Sequence, residues 1–395
     1  MSRRALLVFI YTVTLTGILN NTLVTPAIPD ILADLDVPDQ GSGFLVASGS
    51  VAGIVVAPIV GFLADRFGRR VILTSCLAIF GTFGLAGALS PTFEVLLGAR
   101  LLQGVGSAGL INLAVVLIGD HWSGRERTRL VGRNASVLTV GLALMPVLSG
   151  AVTQAAGWRV TFGIYTVALG TALVAFLVLD RGRPPHAISP RDQLRGAGQV
   201  VRRPEVVNTL GIGFVVFVLI FGLLLSVLPL HLAEAFGMEA GPRGVMMSVP
   251  AVSSSLIAFN LGKIRQVLSV RRVVVLGGIG FAAALLLLGV APVVALLVVG
   301  ALAFGAAQGA FIPTLQDEAM EISPDEQRGA VVAIWVGFAR LGQTVGPLLA
   351  GLALTLWSPA VTLRVGAGLG IVILAAGLLG PFSPARAESG SPPGE

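Results

Sequence analysis

Charge is what this chain has least of. Lys, Arg, Asp and Glu together make up 12% of its 395 residues, about half the share found in soluble domains, which excludes a body wrapped in a solvated polar surface. Cysteine occurs once, as Cys76, so no intramolecular disulfide is available and no metal-ligand spacing is met. The sequence contains no H-E-x-x-H, no G-x-S-x-G, no Cys/His cluster and no nucleotide-binding loop. An enzyme is therefore not expected, and neither is a metal or an organic cofactor. Carboxylates are also missing from the middle of every long apolar run.

What fills the chain instead is apolar. Hydrophobic residues account for 55%, the mean hydropathy is +0.90, and runs long enough to span a hydrocarbon core, which takes roughly 20 residues of helix, recur with short polar breaks. Twelve are expected, at 5–29, 42–64, 71–90, 93–119, 130–155, 159–180, 206–233, 243–262, 272–291, 293–316, 330–356 and 359–381. All should be helices, because lipid offers no partners for backbone N–H and C=O groups and the runs lack the alternation of barrel strands. The 51 glycines suit close packing of membrane helices. The N-terminal run continues past the length of a signal peptide without a small-residue cleavage site, so it reads as a retained first helix.

Basic residues fix the threading. With both termini cytoplasmic, 21 of the 26 Lys and Arg residues fall on the cytoplasmic side and only Arg159, Arg243 and Arg364 outside, the bias that the positive-inside rule uses. The expected setting is the cell's cytoplasmic membrane, crossed many times. The net charge of +6 then reports topology and not nucleic-acid binding. Residues 181–205 form the one clear shift in composition and read as a cytoplasmic linker, with a short amphipathic helix over 192–201, between an N-terminal bundle at 1–180 and a C-terminal bundle at 206–381. The tail at 382–395 has the composition of a disordered end.

The two halves also look like copies. RRVIL at 69–73 lies over RRVVV at 271–275 and GARLLQGVGSAG at 98–109 over GALAFGAAQGAF at 300–311, both shifted by 202. GLALMPVLSG at 141–150 lies over GQTVGPLLAG at 342–351, shifted by 201. Such a duplication implies a two-fold axis along the membrane normal, a binding site near the midplane, and alternating access by rocking of one half against the other.

Between the second and third segments stands GFLADRFGRR at 61–70, a concentration of charge in a chain that has little. The fourth segment carries RLLQGVGSAG, with Arg100, Gln103, Gly104 and Gly106, and the fifth carries Gly141, Pro146 and Gly150. On these residues the chain resembles the major facilitator superfamily, most closely its twelve-helix drug:proton antiporter branch. The first stretch fits that family's G-x-L-x-D-R-x-G-R-R/K signature and the second the branch's R-x-x-Q-G-x-G pattern. The fifth segment departs from G-x-x-x-G-P-x-x-G-G, with Met145 and Ser149 in place of glycines. The resemblance implies an all-α fold of two pseudo-symmetric six-helix bundles and transport of a small-molecule substrate by a lipid-embedded monomer, with the proton as coupling ion.

It also assigns expectations to residues. Gly61 permits close helix packing and Gly68 a turn, while Asp65, Arg66, Arg69 and Arg70, with Asp120 as partner, form a cytoplasmic latch; the alternative is that the arginines serve only as topology anchors. In the resemblance Asp65 meets the start of the eleventh helix near Arg328 and Gly329. Arg100, Gln103 and Ser107 make a polar stripe at i, i+3 and i+7, for which a coupling role and a structural hydrogen-bond role both stand. Asp317 and Glu318 in the tenth segment are the candidate proton carriers. Arg340, near the middle of the eleventh segment and followed by Gln343, attracts an anion, pairs, or is structural. Asn20, Asn21, Tyr165 and Gln308 complete an expected substrate cavity. Gly141, Pro146 and Gly150, with Gly342, Gly346, Pro347 and Gly351, read as hinges where the bundles meet. The leading expectation is proton-driven efflux of amphipathic organic compounds. The alternative is a carrier of an organic anion or anionic lipid-like substrate that uses Arg100 and Arg340.

Overall fold

The structure is a computed structural model and describes residues 2–179, 203–321 and 328–382. Ten of its helices are long and apolar enough to cross a membrane. They are α1 (Arg3–Asp34), α2 (Gly41–Phe67), α3 (Arg69–Ala88), α4 (Phe93–His121), α5 (Gly124–Ala156), α6 (Trp158–Val178), α7 (Pro204–Phe236), α9 (Val270–Val290), α10 (Val294–Glu321) and α12 (Pro359–Leu379). Between α7 and α9 lies α8 (Ala240–Phe259), followed after a 60° bend by a short helix, Leu261–Val267. The 27-residue helix α11 (Arg328–Leu354) occupies the place of the expected eleventh segment. The expected surface helix at 192–201 and the tail from 383 lie outside the described residues, as do the side chains at the start of α11.

Local chemistry sets the ends. Ser2, Thr92, Ser269 and Ser358 precede α1, α4, α9 and α12, and each side-chain oxygen accepts a hydrogen bond from the backbone N–H three residues on, filling a donor that helix geometry leaves open. Gly68 is the single residue between α2 and α3. Its φ of +93° lies where a Cβ is strained, so one glycine both stops α2 and restarts the chain as α3. Within α7 the backbone widens into a π-helix over Leu219–Val227, just ahead of Pro229, which has no N–H to continue the α-helical ladder.

The halves meet chiefly through two helix pairs, α2 with α11 and α5 with α8. Both contacts are glycine on glycine. A methyl group on Gly43 would sit 2.9 Å from the Cα of Gly351, and one on Gly150 would sit 3.0 Å from the Cα of Gly244. Gly43 and Gly244, like Gly150 and Gly351, are 201 positions apart, so the sequence repeat maps one contact onto the other. Each contact also sets a proline carbonyl, Pro347 or Pro146, against the facing glycine. Backbones this close admit no side chain. These contacts lie at the membrane face that carries the α1–α2 and α7–α8 connections, which is poor in arginine.

The glycine–proline frames therefore divide. Pro146, Gly150, Pro347 and Gly351 lie between the halves as expected, but Gly141 faces Leu15 and Ile18 of α1, and Gly342 and Gly346 face Phe214, Val218 and Gly222 of α7. Those three pack helices inside one half. The expectation that the whole frame was interfacial overlooked that α5 and α11 are long enough to leave the interface along their length.

Candidate functional site

Arg100 lies at the centre of the N-terminal half with no exposed surface. Its Nη1 donates to Asn20 Oδ1 at 3.1 Å and to Gln103 Oε1 at 2.7 Å, and its Nη2 donates to Asn21 Oδ1 at 3.0 Å. The asparagines are themselves held, Asn20 Nδ2 donating to Gly49 O at 2.8 Å and Asn21 Nδ2 to Ser50 Oγ at 3.3 Å. Tyr165, equally buried, reaches across with its hydroxyl 3.1 Å from Leu19 O and 3.2 Å from Asn20 O. So one guanidinium ties α1 to α4, and α2 and α6 join through the asparagines and Tyr165. Among the described residues no carboxylate pairs with it, and its Nε and Gln103 Nε2 have no partner.

This corrects part of the cavity reading. Asn20 and Tyr165 are buried supports of Arg100 in this conformation, not surfaces facing a substrate, and Ser107 donates to Gly104 O at 3.0 Å without joining the stripe. Asn21 is half-buried and sits at the margin of the network. On the other half, Arg340 is half-buried and its Nη1 lies 3.5 Å from Gln343 Oε1. Gln308 is half-buried on α10. Helix α2 joins the two arginines: a methyl on Gly49 would lie 2.9 Å from Arg100 Cζ, and one on Gly53 would lie 3.2 Å from Arg340 Nη1. Residues four apart share a helix face. The sequence signal for this was present in the spacing of the two glycines, and was missed because nothing in α2 itself carries charge there.

The arginine-poor face holds ionic contacts that sequence reasoning also missed. Arg243 on α8, with its side chain 2% exposed, pairs through Nη2 with Asp30 Oδ2 on α1, joining the two halves. Beside it, Gln154 at the end of α5 bonds Glu239 and accepts from the Gly241 N–H at 3.0 Å. A cleft of about 390 Å³ lined by α1, α7 and the loop residues Val37 and Asp39 lies between the halves on this face. Asp30 and Arg243 are 213 positions apart and belong to no motif, so only the fold reveals the pair.

The comparisons with known proteins settle the family. The model for the Major Facilitator Superfamily matches residues 10–264 and 210–395. The chain belongs to the Major Facilitator Superfamily. It is 27% identical over 256 residues to the bacillibactin exporter of Bacillus subtilis, covering 62% of this chain and 63% of that protein. To the lincomycin resistance protein of Streptomyces lincolnensis it is 35% identical over 191 residues, covering 48% of this chain and 40% of that one. The chain thus spans under two thirds of the length of these relatives. A bacterial homolog of the human lysosomal transporter Spinster, solved inward-facing and occupied, superimposes with a TM-score of 0.81 at 18% identity over 95% of this chain and 96% of that one. Family and relatives are transporters, not enzymes, and the chain is a multi-pass membrane protein with the family's fold.

In this superfamily member the charged stretch between α2 and α3 is built inside one half. Arg69 Nη1 lies 2.5 Å from Asp65 Oδ1 and Arg69 Nε 3.2 Å from Asp120 Oδ2, so the expected partner for the arginines is in place, on Arg69. The other two stack instead: the Arg66 guanidinium lies 5.6 Å from the Phe67 ring centroid and that of Arg70 4.5 Å from the Phe176 ring. The start of α11 that Asp65 is expected to meet lies outside the described side chains, and a methyl on Gly61, which is exposed, would meet nothing within 4 Å among the described residues. The close packing expected at Gly61 is therefore absent among the described residues. Arg271, the repeat's counterpart of Arg69, turns to helix-end carbonyls, bonding Leu378 O at 3.3 Å and Gly380 O at 3.0 Å; a helix C-terminus replaces the missing acid.

Proposed function

We propose that this protein exports amphipathic organic compounds by alternating access, driven by protons, as a monomer in the cytoplasmic membrane with both termini on the cytoplasmic side. The observation that carries the reading is the pair of repeat-related glycine contacts. They close the arginine-poor face with backbone against backbone, while among the described residues a methyl on Gly61 at the opposite face would meet nothing within 4 Å. With arginines inside, that is an inward-facing carrier whose outer face is sealed. Two bundles whose helices meet backbone to backbone at small residues suit rocking between discrete packings. The printed names of the relatives, an exporter and a resistance protein, favour the outward direction.

For the proton, Glu318 is the proposed carrier. It is 2% exposed on α10, whereas Asp317 beside it points to the surface and is set aside. A buried carboxylate exchanges its proton as access to it changes. The test is proton release from detergent-purified protein in weak buffer on adding hydrophobic dyes or antibiotics. The wild type is expected to release protons on binding. Glu318→Gln is expected to remove most of that signal and Asp317→Asn to preserve it; an unchanged signal in Glu318→Gln contradicts the assignment.

A further inference from the structure

We propose that the substrate of this carrier bears an acidic group, and that Arg340 receives it with Arg100 as a second, fixed positive charge on the same face of α2. The inference rests on the carrier reading above and narrows its substrate to amphipathic anions, with a carboxylate or phosphate head.

Two cations stand near the middle of the bundle with only neutral partners among the described residues. Arg100 is completely buried and bonded to three amide oxygens, and Arg340 is half-buried with one long contact to Gln343. A guanidinium carries five N–H donors, so Arg340 has several unused where the halves meet. Gly49 and Gly53, one turn or about 6 Å apart along the helix axis, let both groups pack against one strip of α2, because neither glycine holds them off with a side chain. Two like charges against one helix strip in a medium of low dielectric repel. An anion on the free donors of Arg340 lowers that repulsion and fills a guanidinium fork that matches carboxylate and phosphate geometry.

The rest of the strip fits a polar head. Asn21 borders the site, and Ser50, which holds it, follows Gly49 directly. Gln103 Nε2 is buried, unpartnered and adjacent to Arg100. An organic cation at the same place meets two positive charges and no carboxylate among the described residues near them.

Thermal unfolding of the full chain in nanodiscs of phosphatidylcholine reads this directly, with dodecyl phosphate, dodecanoate, dodecanol and dodecyltrimethylammonium as probes of one chain length. The two anions are expected to raise the unfolding temperature at concentrations at least ten-fold lower than the alcohol or the ammonium. Arg340→Gln is expected to erase the difference, and Arg340→Lys to keep part of it, since an ammonium retains the charge and loses the fork. Equal responses to all four probes, or an anion preference that survives in Arg340→Gln, would overturn the proposal. Repeating the titration in phosphatidylglycerol nanodiscs separates the sources: competition identifies a lipid headgroup as occupant, its absence a freely diffusing amphiphile, and both sustain the site. The measurement is made at one pH without a gradient, so its failure leaves proton-driven transport standing, and loss of the proton signal leaves anion binding untouched.

Discussion

Replacing Gly244 with leucine is expected to reduce transport to background while the chain still folds. A side chain at Gly244 would press on the Cα of Gly150, 3.1 Å from its Cβ, and on the Pro146 carbonyl. Backbone atoms in a packed pair cannot step aside as a flexible side chain can. Overpacking of this kind costs about 1–3 kcal/mol, and here the strain exists only when the arginine-poor face is shut. At the upper end, about 3 kcal/mol shifts a two-state equilibrium roughly 100-fold toward the open form. Gly351→Leu is expected to match it, since the 201-residue repeat places Gly351 against Gly43 in the same way. Asp30→Asn acts in the same direction by removing Arg243's ion pair, with a smaller effect because Asp30 is itself 40% exposed. Substrate flux in proteoliposomes, read beside thermal unfolding, checks this. Normal flux in Gly244→Leu would mean that the face need not close.

The second large effect is expected at Arg100. Alanine there removes three hydrogen bonds, leaves the oxygens of Asn20, Asn21 and Gln103 without their shared donor, and opens a void where the side chain had no exposure. An unsatisfied buried polar group costs about 1–3 kcal/mol, and a large-to-small change in a packed core adds a cavity cost of similar size. Stability is expected to fall by roughly 3 kcal/mol or more, with transport lost. Arg100→Lys separates charge from geometry. The acceptors come from α1 and α4 and need a fork that reaches both; an ammonium keeps the charge but not the span. Lysine is therefore expected to fold better than alanine and still transport at least ~10-fold more slowly than the wild type. Full activity in Arg100→Lys would reduce the network to a matter of charge alone.

The contrast between Arg100 and Arg243 explains what the sequence could and could not reveal. Arg100 stood out because an ionisable group seven residues into an apolar run has few bland explanations, and its i+3 neighbour Gln103 proved to be a direct partner. Helix periodicity gives the face of a residue but not what crosses to meet it. Asn20 and Tyr165 were therefore assigned to a substrate cavity when they in fact brace the guanidinium. Arg243 sat at the start of its segment, where positive charge counts only as an outer-side exception, and its partner lies on another half of the fold. Twelve apolar segments and the repeat conveyed the architecture because lipid leaves a helix few alternatives. The repeat did not convey which end was shut, since the same glycines serve a carrier in either state.

The central claim is that the two halves rock about the midplane and that the glycine contacts of the arginine-poor face are made and broken in each cycle. Spin labels on Ala33→Cys and Ala235→Cys, in a Cys76→Ser background, place one probe at an exposed position of each half on that face. Their separation, measured by electron–electron double resonance in nanodiscs, reads the closure without passing through flux. One short distance is expected at rest, with a second, longer population growing on acidification and substrate addition, and only the longer one in Gly244→Leu. A single unchanged distance under conditions that sustain transport would contradict the account.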